Sequence, residues 1–326
     1  MTNAFFKNKG PFEINQLLKL LHLNSGQKFP QKKIYNIADL TSSTVKDITF
    51  FHSKKYANLA LKTKASFCIT TNSLKDSLPK NCKKIIVNNV LMVTAKVTRL
   101  FYPESINDDF DTTVKDISKT SFKNKVKFGK NVLIGKNVKF GKNCLVGHNS
   151  IIEKNVFIGN NCSIGSNVII RNTVINNNIK ILDGCVIGKK GFGFFPNKKE
   201  NYRYPQIGHV IINDNSEIGC GSTIDRGSMS NTIIGKNTFL DNQIHIAHNV
   251  KIGDNCIIAG QVGFAGSSTI GNNVMIGGQA GISGHLRIGD NVQIGGGSGV
   301  IRDIKDNNKV MGYPAKDLRN FIKEIN

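Results

Sequence analysis

The chain has 326 residues, 39% of them hydrophobic and 32 of them glycine, which excludes intrinsic disorder and a small domain dependent on covalent staples. Lys and Arg number 44 against 22 Asp and Glu; the resulting +22 suits an acidic partner, on top of a general bias toward Lys, Asn and Ile. The seven cysteines form no CxxC pair and no zinc-ligand spacing, so reduced, mostly buried thiols are expected. No apolar run reaches the roughly 18 residues of a membrane span, and the first residues lack a signal-peptide core, so a soluble cytoplasmic protein is expected.

Residues 1–105 read as a compact α/β domain. EINQLLKLLHL (13–23) has helical apolar spacing, ITFFHSKKYANLALKTKASFCIT (48–70) reads as strand, helix, strand, and KKIIVNNVLMVTAKVTRLFY (83–102) as strand then helix. The polar stretch 106–125 reads as a linker. From Val126 the text becomes periodic: VKFGKN, VLIGKN, VKFGKN, CLVGHN, SIIEKN, VFIGNN, CSIGSN. The apolar third position recurs from Phe128 to Ile170, in a second frame at Ile212, Ile218 and Ile224, and in a third from Ile234 to Ile294. A period of six means a short strand plus a corner, three hexads closing one triangular coil, with strands of successive coils about 4.8 Å apart.

The aliphatic residue fills the narrow core, and the Gly or Asn beside it supplies a permissive backbone at the corner. Cys144, Cys162 and Cys256 stand where other hexads carry Val, which makes them packing residues. Residues 126–304 are thus predicted to form a parallel β-helix of roughly ten coils, left-handed as in hexapeptide-repeat proteins, and the chain is mainly β. Residues 305–326, ending in AKDLRNFIKEIN, read as a cap with a short helix. The repeat breaks at 189–206, a basic segment with five aromatic residues, and at 227–232, GSMSNT. Such insertions project from one face of a solenoid, often the binding face, and ligand loops are expected there.

Of seven histidines, His22 and His52 lie in the N-terminal domain, while His148 and His209 sit among ordinary repeat residues and are expected to be solvated. DNQIHIAHN (241–249) is the conspicuous cluster. His248, second after core Ile246, should project outward at a corner, and His285, third after Ile282, about 10 Å further along the same side. An outward imidazole in a groove suits a general base near neutral pH, with Asp241 one face away to support its charge. GGQAG (277–281) and GGGSG (295–299) lack the helix and Lys of a phosphate loop and read as tight corners. His245 and His248 lack a third ligand for zinc. From these residues alone, a zinc enzyme of the γ-carbonic anhydrase type and a non-catalytic binding protein stay open beside an enzyme with an imidazole general base.

Taken with the GFGF…YPQIGHVII loop, TIDRG (223–227), DNQIHIAHNV (241–250) and GYPAK (312–316), the chain resembles the UDP-3-O-(3-hydroxyacyl)glucosamine N-acyltransferases of lipid A biosynthesis over nearly its whole length. An N-terminal domain ahead of the repeats separates it from the sister O-acyltransferases, which start on their repeats. The resemblance implies transfer of a (3R)-3-hydroxyacyl group from acyl carrier protein to the 2-amine of UDP-3-O-acylglucosamine. It implies His248 as base, Asp241 as its electrostatic support, His285 near the acyl donor, and the Gly266 N–H as oxyanion donor. Asn242, His245 and Asn249 would contact the UDP-sugar. An aromatic pair of the N-terminal domain would sandwich uracil, here Phe50 and Tyr56, with Ser53 where the family carries Asn. A homotrimer with sites at subunit boundaries, no nucleic-acid partner, and no metal or cofactor beyond the carrier's phosphopantetheine complete the implication.

Overall fold

Each hexad lays down a strand of two or three residues and then turns, and the strands of successive coils pair in parallel. The computed structural model describes residues 3–23, 29–107, 109–117, 126–195 and 201–325. They divide into two compact units, 1–107 with 193–207, and 108–192 with 208–326.

The second unit is the left-handed parallel β-helix. Its first face carries core residues from Ile134 to Val300, its second from Phe140 to Ile288, and its third from Phe128 to Ile294. The chain passes from third to first to second face in every coil. Register is fixed by the core residues themselves, as in Ile152↔Ile170, Ile158↔Ile175 and Val146↔Ile164. A further frame, starting five residues after Ile170, holds Ile175, Ile181 and Ile187, all buried, which the hexad count had not included. One residue is missing at the corner near Asn172, so the spacing slips there while the core continues.

Gly and Asn have separate duties at the corners. The Asn three residues after a core position takes the left-handed conformation, as at Asn137 (φ 60°), where a short amide side chain is tolerated. Except at Gly188 (φ 82°), the Gly directly after a core position has no positive φ; a Cβ on Gly141 would lie 2.5 Å from the Gly159 carbonyl carbon of the next coil. Close stacking, not backbone freedom, selects it. The cysteines are likewise more than apolar filler. The Sγ of Cys144 donates to the Gly159 carbonyl at 3.1 Å and that of Cys256 to the Gly271 carbonyl at 3.2 Å. Ser150 and Thr238 serve the equivalent carbonyls of Gly165 and Gly253 through hydroxyls, so this position answers a buried acceptor. All seven thiols are free, and only Cys220 is exposed.

A third regularity concerns the N–H two residues after a core position. Where the same place one coil on carries Asn or Asp, it donates to that side chain, as from Lys142 to Asn160 Oδ1 at 2.8 Å and from Asn272 to Asp290 Oδ1 at 2.7 Å.

Two expectations need correction. Part of the expected linker belongs to the solenoid, because Lys115–Asp116 pairs antiparallel with Leu133–Ile134; residues 108 and 118–125 lie outside the described residues. Residues 193–206 of the expected ligand loop, 189–206, belong to the first unit, where Phe194–Phe195 and Tyr202–Arg203 form an antiparallel hairpin. Its aromatic rings are already engaged: the Arg203 guanidinium lies 4.2 Å from the Phe194 ring centre, and Arg99 donates to the Tyr202 hydroxyl at 2.7 Å. Residues 196–200 lie outside the described residues.

The rest of the first unit follows the periodicity. A parallel sheet of Asn36–Ile37, Asp47–Phe51, Phe67–Thr70 and Lys83–Ile86 supports the helix Val90–Phe101, whose N-cap Asn89 accepts from the Met92 N–H at 3.0 Å. The helix Ile14–Leu20 and the terminal helix Leu318–Ile325 also stand where expected.

Candidate functional site

Both interruptions and the principal histidines fall on one edge of the solenoid. The chain leaves the repeat between Ile187 and Val210, and again between Arg226 and Thr232, each time passing from first to second face. In later coils this edge carries His248, Gly266 and Gly284, each two residues after a buried core residue. Beside them stand Asn249, Ser267 and His285, all left-handed. The coils are stapled here by Ser267 N–H to the His248 carbonyl (2.9 Å) and His285 N–H to the Gly266 carbonyl (3.0 Å).

The half-buried His248 ring is boxed by two glycines. A Cβ on Gly191 would sit 2.7 Å from His248 Cβ, and one on Gly266 would sit 2.7 Å from Cε1 and 2.8 Å from Nε2. Any side chain at either position displaces the imidazole. Its Nδ1 lies 2.9 Å from Asn249 Oδ1. The Gly266 N–H departs from the corner rule: the next coil offers Gly284, which has no side chain, and among the described residues this N–H has no acceptor.

A groove of about 920 Å³ runs along the first face from Phe192 and His248 to Tyr313. Its floor crosses four strands, at His245, Gly263, Gly281 and Gly299, a length of about 14 Å at one strand spacing per coil. Neither Gly263 nor Gly281 has a positive φ, and a Cβ on either would meet nothing within 4 Å. No internal contact requires these glycines; they keep the floor bare. At Gly299 a Cβ would run into the Tyr313 ring, which closes the far end.

The other predicted residues sort by edge. His245 faces the groove, with Nδ1 2.8 Å from Thr223 Oγ1, and desolvation holds its pKa below the ordinary imidazole value. His285 is exposed at the corner. Asp241 and Asn242 follow Leu240 and so occupy the neighbouring edge, between third and first faces. Asn242 Oδ1 accepts from the Cys220 N–H at 2.8 Å. Within one chain Asp241 is not the partner of His248; Asn249 is. His209, expected to be solvated, is half-buried, and burial lowers its pKa. His148 is exposed and accepts from the Lys130 N–H at 2.8 Å. Among the described residues, no three His, Cys, Asp or Glu side chains come together as a metal site.

In the first unit, Phe50 and Tyr56 are half-buried and share an imidazole. His52 stacks on Phe50 at 6.0 Å and is tilted to Tyr56 at 5.5 Å, so a ring of the chain itself bridges the expected aromatic pair. Ser53 is the N-cap of the turn Lys54–Tyr56, accepting from the Lys55 N–H at 3.4 Å. Ser and Asn are equivalent at such a cap, so the exchange keeps the turn.

Sequence reasoning missed Gly191, Thr223 and Asp225. Asp225 follows Ile224, the partner of Ile246; burial pushes its carboxyl up to about 7 against the opposing pull of Arg226 and Lys189. A charged residue directly after a core position, where most hexads have Gly, was the available signal.

A sequence profile described as UDP-3-O-(3-hydroxymyristoyl) glucosamine N-acyltransferase, LpxD, matches residues 31–100. One described as bacterial transferase hexapeptide (six repeats) matches 125–160, 231–266 and 267–302. UDP-3-O-acylglucosamine N-acyltransferase 2 of Legionella pneumophila (strain Paris) is 39% identical over 326 residues, covering 98% of this chain and 94% of its own length. The UDP-3-O-acylglucosamine N-acyltransferase of Leptospira biflexa is 42% identical over 254 residues, covering 73% and 69%. Among solved structures, a UDP-N-acetylglucosamine acyltransferase from Campylobacter jejuni has a TM-score of 0.52 at 24% identity, over 59% of this chain and 73% of that one. One from Francisella novicida has a TM-score of 0.53 at 24% identity, over 61% and 73%. At that identity the likeness shows the fold.

Proposed function

Since the chain belongs to the UDP-3-O-acylglucosamine N-acyltransferase family, we propose that it transfers a (3R)-3-hydroxyacyl group from acyl carrier protein to the 2-amine of UDP-3-O-acylglucosamine. One observation carries the assignment of the centre: the His248 imidazole stands against Gly266, whose N–H has no acceptor among the described residues, at the head of a bare-floored groove. His248 takes a proton from the amine as it attacks the thioester carbonyl. The Gly266 N–H receives the developing oxyanion, and the carrier's thiol leaves with the phosphopantetheine arm. The acyl chain lies along Gly263 and Gly281, and His285 faces the donor side. His245 contacts the UDP-sugar, and Phe50 and Tyr56 of the first unit enclose the uracil once His52 moves aside.

Asp241 and Asn242, an edge away, support the reaction from a neighbouring subunit in this reading. A single prism leaves the groove open along its length, which favours a homotrimer with grooves walled by adjacent copies. The net charge of +22 per chain suits an acidic carrier protein and the diphosphate. No metal or further cofactor enters the reaction. A cytoplasmic location is part of the same proposal; no described helix is long and apolar enough to cross a membrane. The test is an assay with UDP-3-O-acylglucosamine and 3-hydroxyacyl carrier proteins of several chain lengths. His248→Ala is expected to lose at least about 100-fold in kcat with the thermal unfolding curve unchanged; near-normal turnover refutes the assignment.

A further inference from the structure

We infer that the short interruption 227–232 is a clamp that acts through Asn249 to fix the protonation of His248, holding the proton on Nδ1 and leaving Nε2 as the base. This rests on His248 being the base, but it assigns Asn249 to positioning and not to contact with the UDP-sugar.

Asn249 is held on both polar atoms of its side chain and on its N–H. Its Oδ1 accepts from the Ser228 N–H at 3.0 Å and the Ser228 hydroxyl at 2.8 Å. Its Nδ2 donates to the Ser230 carbonyl and to the Ser230 hydroxyl, both at 2.8 Å, and its N–H donates to Thr232 Oγ1 at 2.9 Å. A backbone N–H can only donate and a carbonyl can only accept, so Ser228 and Ser230 fix which end of the amide is oxygen. The oxygen also faces His248 Nδ1 at 2.9 Å. An acceptor opposite a ring nitrogen requires that nitrogen to carry the proton, and a neutral imidazole then has its lone pair on the other one. Nε2 is the nitrogen against Gly266, beside the free N–H.

At other corners a left-handed Asn bonds the Asn one coil on, as Asn237 Nδ2 does to Asn255 Oδ1 at 2.9 Å. Asn249 has Ser267 in that place, and its amide turns back into the interruption. Gly227 makes this possible, because a Cβ there would run into the Ser230 carbonyl that closes the turn. The clamp leaves the Asn249 side chain without hydrogen-bonding capacity for a sugar or a nucleotide.

At close range the ring meets the two glycines and the Asn249 amide, none of which ionises; the ionisable side chains about it among the described residues are His245 and Tyr313 along the groove, Asp225 on the preceding coil and His285 two coils on. Three measurements test the clamp. Selective 15N-histidine spectra of the intact protein, with the His248 signal identified by its loss in His248→Ala, are expected to show Nδ1–H. A proton on Nε2 in the wild type overturns the inference whatever the variants do. Asn249→Ala is expected to lower kcat by roughly 10- to 100-fold, part of what a general base supplies, while KM for the UDP-sugar changes less than about twofold. A raised KM with kcat intact assigns Asn249 to substrate and refutes the clamp. Asn249→Asp restores an acceptor, so it is expected to recover most of that kcat while moving the acid limb of the pH profile upward, since a carboxylate favours the imidazolium; an unmoved limb counts against it. If His248→Ala keeps full activity, the base assignment fails, while the tautomer spectrum still reports on the clamp by itself.

Discussion

The unfilled N–H of Gly266 gives the most discriminating prediction, because filling it reverses the usual relation between stability and activity. Gly284 is where many other corners carry Asn or Asp, and it has no positive φ. A Cβ there would lie 3.1 Å from the Gly266 carbonyl and 4.0 Å from the Gly266 nitrogen, a tight fit that relaxes within a few tenths of an ångström. Gly284→Asn should therefore extend the corner ladder, its Oδ1 accepting from Gly266 as Asn160 does from Lys142 at 2.8 Å. The new bond contributes about 0.5–1.5 kcal/mol, and removing Gly from a fixed backbone adds a few tenths more. The same bond occupies the oxyanion donor, and loss of one such donor costs roughly 100- to 1000-fold in kcat. Denaturant unfolding and steady-state transfer kinetics on the same preparation read both effects. Gly278→Asn, at the neighbouring edge where a Cβ meets the Gly260 carbonyl at 3.2 Å, controls for the stability gain alone. A Gly284→Asn protein that is more stable and turns over within about threefold of wild type removes Gly266 from the oxyanion site.

Two further predictions concern the solenoid around the site. Asp225 ionises at 3.8 when unfolded and at about 7 when folded, so the folded state holds a proton that the unfolded state has lost. Stability is therefore full below 3.8 and falls as pH rises toward about 7. Asn cannot ionise, so the Tm advantage of Asp225→Asn should grow from pH 4 to 8; a constant difference means the carboxyl is not raised. Phe264 is fully buried where neighbouring coils carry Ile, and Phe264→Ala should cost about 3–5 kcal/mol in denaturant unfolding. A loss below about 1 kcal/mol would mean that the coil collapses onto the space.

The solenoid was legible because each hexad repeats one physical problem, a narrow core beside a sharp corner, and solves it with the same residues. Ile175, Ile181 and Ile187 escaped because the single missing residue near Asn172 moves the frame without moving the core. His248 and His285 could be put on one edge by counting from Ile246 and Ile282. Their surroundings could not: Gly191 reaches His248 from a segment nearly sixty positions away, and Asn249 looks like every other corner Asn until its partners are seen. Asp241 was counted one face away and stands there, so its support of His248 falls to a neighbouring subunit in the proposed reading. The aromatic loop was recognised as special, but hydrophobic pattern alone does not tell a ring packed under Arg203 from one waiting for a ligand.

A stack of parallel coils has a hazard that compact folds lack, because each end offers strands onto which another stack could grow into a fibre. This chain turns back at both ends. Lys115–Asp116 runs antiparallel to Leu133–Ile134 at the start, and Lys316–Asp317 runs antiparallel to Lys309–Met311 at the finish. A reversed strand offers an incoming coil the wrong polarity, and the Lys and Asp of each carry charge along the rim. One sheet at either end is thereby closed to polymerisation, and the repeat stops growing at a defined length.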